Sequence, residues 1–306
     1  MNKKIENQIP IQQLIKLLWK DKWLIVRIVS FFSISSVIIS LLIPNQYTAS
    51  GVYQVSEDES GSSLSALAGQ FGGLASIGGF SLPENADKSD FAVHFLRSKD
   101  LLKKLLTYDG TREKLFAAKS YNFKDQRIIF YSSIYNEEKN AWVRKTKPNI
   151  NLIPSYIEIH KEIIEKQLRV SKDRQTGFIS INFTHQSPVF AKYFLDLMVK
   201  ELNLISRERD LQKSQYALNY LNDKLNEVTE AELRKSIIKM AEVQLNKEML
   251  TFVYEDYILV PIDSPVVPEK KSWPQRSLIV ILLTFLGTLI SFFTVFIKNV
   301  YFKNSD

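Results

Sequence analysis

The residues that could do chemistry are few and scattered. The chain has three histidines, His94, His160 and His185, and no cysteine. The histidines fall in three different predicted elements, with no pair at metal-ligand spacing. Without cysteine there are no disulfides, thiolate metal sites, thiol nucleophiles or redox switches. Glu227, Glu230 and Glu232 crowd together, but on a helical stretch whose charged side is a solvated face. Residues 60–79 (SGSSLSALAGQFGGLASIGG) hold six of the ten glycines. They match neither G-x-G-x-x-G nor G-x-x-x-x-G-K-[ST], and no lysine follows to bind a phosphate. A flexible, weakly amphipathic segment near a membrane or lining a pore is expected there. Asn182-Phe183-Thr184 fits a glycosylation acceptor pattern but falls inside a predicted strand. The residues thus predict no catalytic, cofactor-binding or metal site, and a protein that is not an enzyme.

The elements that must position whatever does work are marked out by hydrophobicity. The 306 residues are 45% hydrophobic, 24% charged and 12% aromatic, a globular composition rather than a disordered or many-pass one. Two apolar runs stand at the ends, 24–43 and 278–297. Each gives a helix of ~30 Å, the thickness of a bilayer core. Lys22, Trp23 and Pro44 flank the first; Trp273, Lys298, Tyr301 and Lys303 flank the second, as interfacial anchors do. Arg27 lies about one turn inside and can snorkel outward. A cleavable signal peptide fits poorly, since the run is long, a 23-residue lead precedes it, and Ile43-Pro44-Asn45 is no small-x-small site.

Lys3, Lys4, Lys16, Lys20 and Lys22 precede the first span, and no Lys or Arg follows it until Lys88. The positive-inside rule then puts residues 1–23 in the cytoplasm, residues 44–277 in the periplasm and residues 298–306 back in the cytoplasm. The net charge of +7 is therefore partly juxtamembrane, which argues against a nucleic-acid partner.

In the central region 47–55 alternates as a strand starting at the membrane. Helical periodicity begins near Ser89, and Ser98 caps a helix over 99–106, ended by Tyr108-Asp109-Gly110. Residues 111–150 give no ordered reading, and 156–164 reads as helix. A hairpin follows, with strands near 167–171 and 179–183. Ser187-Pro188 opens a helix as N-cap and N1. Neither Gly nor Pro occurs from 189 to 260. One straight helix over 188–252 would reach ~95 Å, while residues 253–276 return at most ~80 Å. A break near 226–229 resolves this, making a hairpin whose descending arm presents Leu233, Ile237, Ala241, Leu245 and Met249. Residues 254–262 read as a last strand pairing near Tyr47. Pro261, Pro265, Pro268 and Pro274 make 261–274 a stiff spacer. The fold class is α+β: a small mixed sheet at a base, with a long helix or helical hairpin (188–250) extending outward.

Function then falls to contacts. Leu197, Leu204, Leu211, Leu218 and Leu225 recur every seven residues, either as a core stripe or as a seam against neighbouring subunits. Gly287 with Ser291, Thr284 with Thr288, and Ser36 with Ser40 are small pairs that permit close helix approach in a membrane. Leu197, Leu204, Leu211, Leu218, Leu225, Gly287, Ser291, Pro265, Pro268 and Pro274 are the candidate oligomer and partner contacts. A secretion adaptor also carries a periplasmic helical hairpin, but usually with one span. A two-span sensor would need a cytoplasmic output domain, which is missing from this sequence.

The order of features resembles the chain length determinant (Wzz-type) polysaccharide co-polymerases. The likeness lies in residues 11–23 (IQQLIKLLWKDKW), in Pro44, Tyr47 and Ala49 as Pro-x-x-Tyr-x-Ala, and in Glu232, Arg234, Ile237 and Gln244 on one helix. It continues in Pro265, Pro268, Pro274 and Arg276 before the second span. Where relatives often read Pro-Glu-Lys-Pro, this chain has Pro268-Glu269-Lys270-Lys271. The resemblance implies a two-span inner-membrane protein that closes into a homo-oligomeric ring. Such a ring sets the modal length of O-antigen or a related polysaccharide made by a Wzy-type polymerase, with the growing polysaccharide as a further possible partner. Ending at Asp306 with no kinase domain, the chain resembles the kinase-free type.

Overall fold

The computed structural model describes residues 19–56, 88–148 and 150–301; the glycine-rich stretch 60–79 and residues 11–18 of the family likeness lie outside the described residues. In chain order the elements are α1 (Lys22–Leu42), β1 (Tyr47–Val55), α2 (Lys88–Leu96), α3 (Lys99–Leu105), α4 (Thr111–Ala117), β2 (Ala118–Asn122), β3 (Arg127–Phe130), β4 (Tyr135–Asn136) and β5 (Ala141–Trp142). Then come α5 (Tyr156–Glu162), a π-helical turn (Ile163–Gln167), β6 (Leu168–Lys172), β7 (Ile179–His185), α6 (Pro188–Glu227), α7 (Ala231–Val253), β8 (Leu259–Asp263) and α8 (Arg276–Tyr301). They divide into two units, Met1–Gln46 with Lys271–Asp306, and Tyr47–Lys270.

The first unit is the antiparallel pair α1 and α8. Both helices are long and apolar enough to cross a membrane, with mean hydropathies of 2.2 and 2.6. Their large side chains, among them Phe31, Leu42, Phe285 and Phe293, point away from the pair, while Ser36, Ser40, Ser291 and Val295 are buried in it. This inverts a water-soluble helix pair and suits a surround of lipid, where association depends on close backbone approach.

The second unit is built on a four-stranded antiparallel sheet, ordered β6-β7-β1-β8. Tyr47 pairs with His185 and Tyr53 with Ile179. Alternation sends Ile179, Ile181, Phe183 and His185 of β7 to the core face, with Tyr47, Ala49 and Tyr53 of β1. The first half of α6 lies on that face through Phe190, Phe194, Leu195, Met198 and Leu202, and Phe183 meets Phe194 at 4.7 Å between ring centroids. Leu101, Leu105 and Ile159 close the core from α3 and α5. Each such burial contributes roughly 2 kcal/mol relative to exposure.

Local chemistry explains the boundaries. Ser98, Ser155 and Ser187 each accept a hydrogen bond from the backbone N–H three residues on, as N-caps do. α3 ends at Leu105 with Leu106 as its C-cap, ahead of the expected stop at Tyr108-Asp109-Gly110; Gly110, at φ 68°, is instead the N-cap of α4. The stretch 111–150 resolves into α4 and two short hairpins, β2–β3 and β4–β5. The last strand differs from expectation. β8 starts at Leu259 and pairs with the far half of β1, Val52 to Val55, rather than near Tyr47. Its Pro261 has no N–H to give, and an edge strand tolerates that. Near the helix pair it is Trp273 that bridges to Gln46 instead.

Candidate functional site

The α6–α7 hairpin carries the leucine stripe. α6 runs along the sheet and then ~35 Å beyond Asn203, turns at Val228–Glu230, and returns as α7. The break falls where chain geometry requires one. Arg234 caps the turn: its guanidinium donates to the carbonyls of Leu225 and Val228 (3.0 Å to the latter), satisfying orphan acceptors at the end of α6. Lower down, Gln215 bonds Glu248 at 3.1 Å, and Tyr257 donates to Asp210 at 3.1 Å.

At the root of the hairpin sits a residue the sequence reading passed over. Asn203 is buried; its amide oxygen accepts from Ile258 N–H (3.0 Å) and Leu259 N–H (2.9 Å), and its amide nitrogen donates to the Leu259 carbonyl at 3.0 Å. It occupies the position of a backbone partner and fixes β8 against α6. Its helical neighbours Val199, Lys200, Ser206 and Arg207 mix apolar and polar types, so the face gave no sequence signal. Nearby, Tyr108 donates to the buried carboxylate of Glu201, and that bond raises the tyrosine pKa above its ordinary value.

The predicted contact residues part company here. Leu197 is buried in the core of its own chain. Leu204, Leu211, Leu218 and Leu225 are half-buried along α6. The descending arm presents a different face from the expected one. Ile237, Val243 and Thr251 are buried, whereas Leu233, Leu245 and Met249 are exposed. On α7, Ile238, Leu245, Met249 and Phe252 form an exposed apolar stripe at helical spacing, and on α6 Tyr216 and Tyr220 are exposed.

Gly287 and Ser291 pack inside the α1–α8 pair. A Cβ on Gly287 would stand 2.6 Å from Phe32 Cβ, so only glycine allows this approach. Lys298 bonds Asp21 at 2.7 Å at one end of the pair. At the other, Gln46 N–H donates to the Trp273 carbonyl and Ser272 N–H to the Gln46 carbonyl, both at 2.8 Å, and Arg276 donates to Asn45 at 3.2 Å. Pro274 is buried in this unit; Pro265 and Pro268 belong to the other. Pro265 lines a cavity of about 400 Å³ with Tyr53, Asp196, Lys200, Asn203 and Arg207. Burial, then the fields of Asp196, Asp256 and Asp263, push the Tyr53 phenol far above its ordinary pKa, so it stays neutral.

Among the described residues no three His, Asp or Glu side chains gather as metal ligands. His185 is buried: Nε2 donates to the Lys114 carbonyl at 2.8 Å and Nδ1 accepts from Ser187 N–H at 3.0 Å. Burial lowers its pKa to about 4, and the ring is a neutral structural bridge.

These features amount to two helices long and apolar enough to cross a membrane, at the ends of an α+β domain with a helical hairpin. Residues 7–108 match the model of a protein family, the chain length determinant protein, which is the family the sequence resembles. No curated protein sequence matches the chain significantly. Among solved structures, a "full-length bacterial polysaccharide co-polymerase" aligns over 94% of this chain and 97% of its own, at 13% identity and a TM-score of 0.38, too loose a superposition to carry residue-level correspondence.

Proposed function

We propose that this chain is a non-enzymatic regulator of polysaccharide chain length, for O-antigen or a related surface polysaccharide. It acts as a homo-oligomer in the bacterial inner membrane beside a Wzy-type polymerase, with both termini cytoplasmic and residues 44–277 periplasmic. The observation that carries the reading is the family match over residues 7–108. The two terminal apolar helices support membrane residence, and the lysines before α1 support the orientation. Exposed apolar residues on α7 support a covered surface in an assembly. The mechanism is positional. The hairpin and domain base contact neighbouring copies, and the spans gather the polymerase, so chain extension ends at a length set by the assembly.

Deleting the gene and resolving the lipopolysaccharide on a gel tests the function: the modal cluster of the ladder disappears and returns with the plasmid-borne gene. An unchanged ladder, together with unchanged capsule and common antigen, removes the proposal. Protease treatment of spheroplasts tests the orientation, cutting within residues 60–260 from outside.

A further inference from the structure

The β2–β3 turn holds an aromatic residue out of the domain at the end of the sheet tethered to α1. Leu42 ends α1 and Tyr47 opens β1. Five residues extend at most ~18 Å, so the Tyr47 end of β1 cannot stray further from that helix end. Tyr47 is buried, and Phe123 lies against it with ring centroids 5.7 Å apart; Tyr121 meets Phe123 at 5.0 Å. The β6–β7 turn sits at the opposite end of the sheet, because β1 pairs Tyr53 with Ile179 there, ~20 Å along the strand.

Phe123 is 59% exposed, yet its turn is braced. Asn122 Oδ1 accepts from Lys124 N–H at 2.9 Å, and Asn122 Nδ2 donates to Asp125 at 2.7 Å. Gln126 closes the turn at φ 50°. The side chain is presented to its surroundings by a fixed backbone. Lys119, Lys124 and Arg127 are exposed on the same hairpin, against Asp125, which lies 3.6 Å from Arg127, and Glu137, which lines a cavity with Gln126 and Arg127, so bases outnumber acids three to two. The patch is therefore positive with an aromatic tip. That combination suits the boundary between lipid headgroups and acyl chains, where the ring enters the apolar side and lysines meet phosphates.

We propose that the β2–β3 turn is a third membrane contact, with Phe123 seated in the headgroup–acyl boundary and Lys119 and Lys124 on anionic headgroups. This rests on the reading of α1 and α8 as membrane spans. The natural chain has no cysteine, so single labels are unambiguous. Full-length Phe123→Cys, Lys124→Cys, Leu41→Cys and Gln175→Cys carry an environment-sensitive fluorophore in proteoliposomes of phosphatidylethanolamine and phosphatidylglycerol. Lipids with a quencher on the upper acyl chain report burial in the bilayer, and iodide reports exposure to water. The expected result is lipid quenching at positions 123 and 124 approaching that at position 41, and several-fold above that at position 175. Lys119→Glu, made in the Phe123→Cys chain, lowers it. Quenching at position 41 with iodide access at 123 and 124 overturns the turn proposal and leaves the spans intact. Protection at 123 and 124 from both quenchers means that protein covers the turn, which also overturns it. Loss of lipid quenching at position 41 itself refutes the span reading beneath.

Discussion

The α1–α8 pair and the α6–α7 hairpin are both antiparallel helix pairs, held together by opposite means. The terminal pair buries Ser36, Ser40, Gly287 and Ser291 and turns its Phe and Leu residues outward. The hairpin buries Ile237 and Val243, and joins its arms and root through Gln215–Glu248, Tyr257–Asp210 and the Asn203 clamp. In lipid the surroundings are as apolar as leucine, so backbone proximity must supply the attraction. In water apolar burial supplies it, and buried hydrogen bonds fix where the helices stop.

Four perturbations probe this contrast, from the largest effect to the smallest. Asn203→Leu keeps the volume but strands two N–H groups and a carbonyl, so the domain should lose about 4 kcal/mol, read as a lowered urea midpoint of the detergent-solubilised chain. Acidification acts on the same domain through His185. Folded, it resists protonation until about pH 4, while the unfolded chain takes a proton near 6.5. Stability is therefore complete above pH 6.5 and falls toward pH 4, by about 3 kcal/mol in total. The wild-type minus His185→Gln difference in urea midpoint should follow that window. Gly287→Leu drives a side chain into Phe32 and should weaken the terminal pair by about 2 kcal/mol. Reduced disulfide trapping between Ser36→Cys and Thr284→Cys, which the Phe32–Gly287 contact and the Asp21–Lys298 bond put at nearly one level of the antiparallel pair, would report it, alongside a disturbed sugar-length pattern in cells. Lys298→Ala breaks the exposed end bridge to Asp21 and should shift the same trapping by about 0.5 kcal/mol or less.

Legibility in the sequence followed the length of each pattern. The alternation of residues 47–55 gave β1 at its observed bounds, and Ser98 and Ser187 announced their helices because capping is local chemistry. The break at 228–230 came from a distance constraint rather than a residue signal. The face of α7 was misread for a geometric reason. Leu233, Ile237, Ala241, Leu245 and Met249 step by four residues, and each step overshoots a turn by ~40°, so the stripe winds off the packed side. Residues 111–150 were illegible because strands of two to five residues are too short to display a period. Asn203 was invisible as a clamp, since its partners are backbone groups more than fifty residues away.

The backbone bridge between Gln46 and Trp273 joins two points far apart in sequence. A chain with free ends would lose about 5 kcal/mol of entropy in bringing points at that separation together. Where the two apolar helices are already paired, both ends are held, and part of that ordering cost is met in advance. A helix pair that assembles first thus becomes a folding aid for the segment strung between its ends.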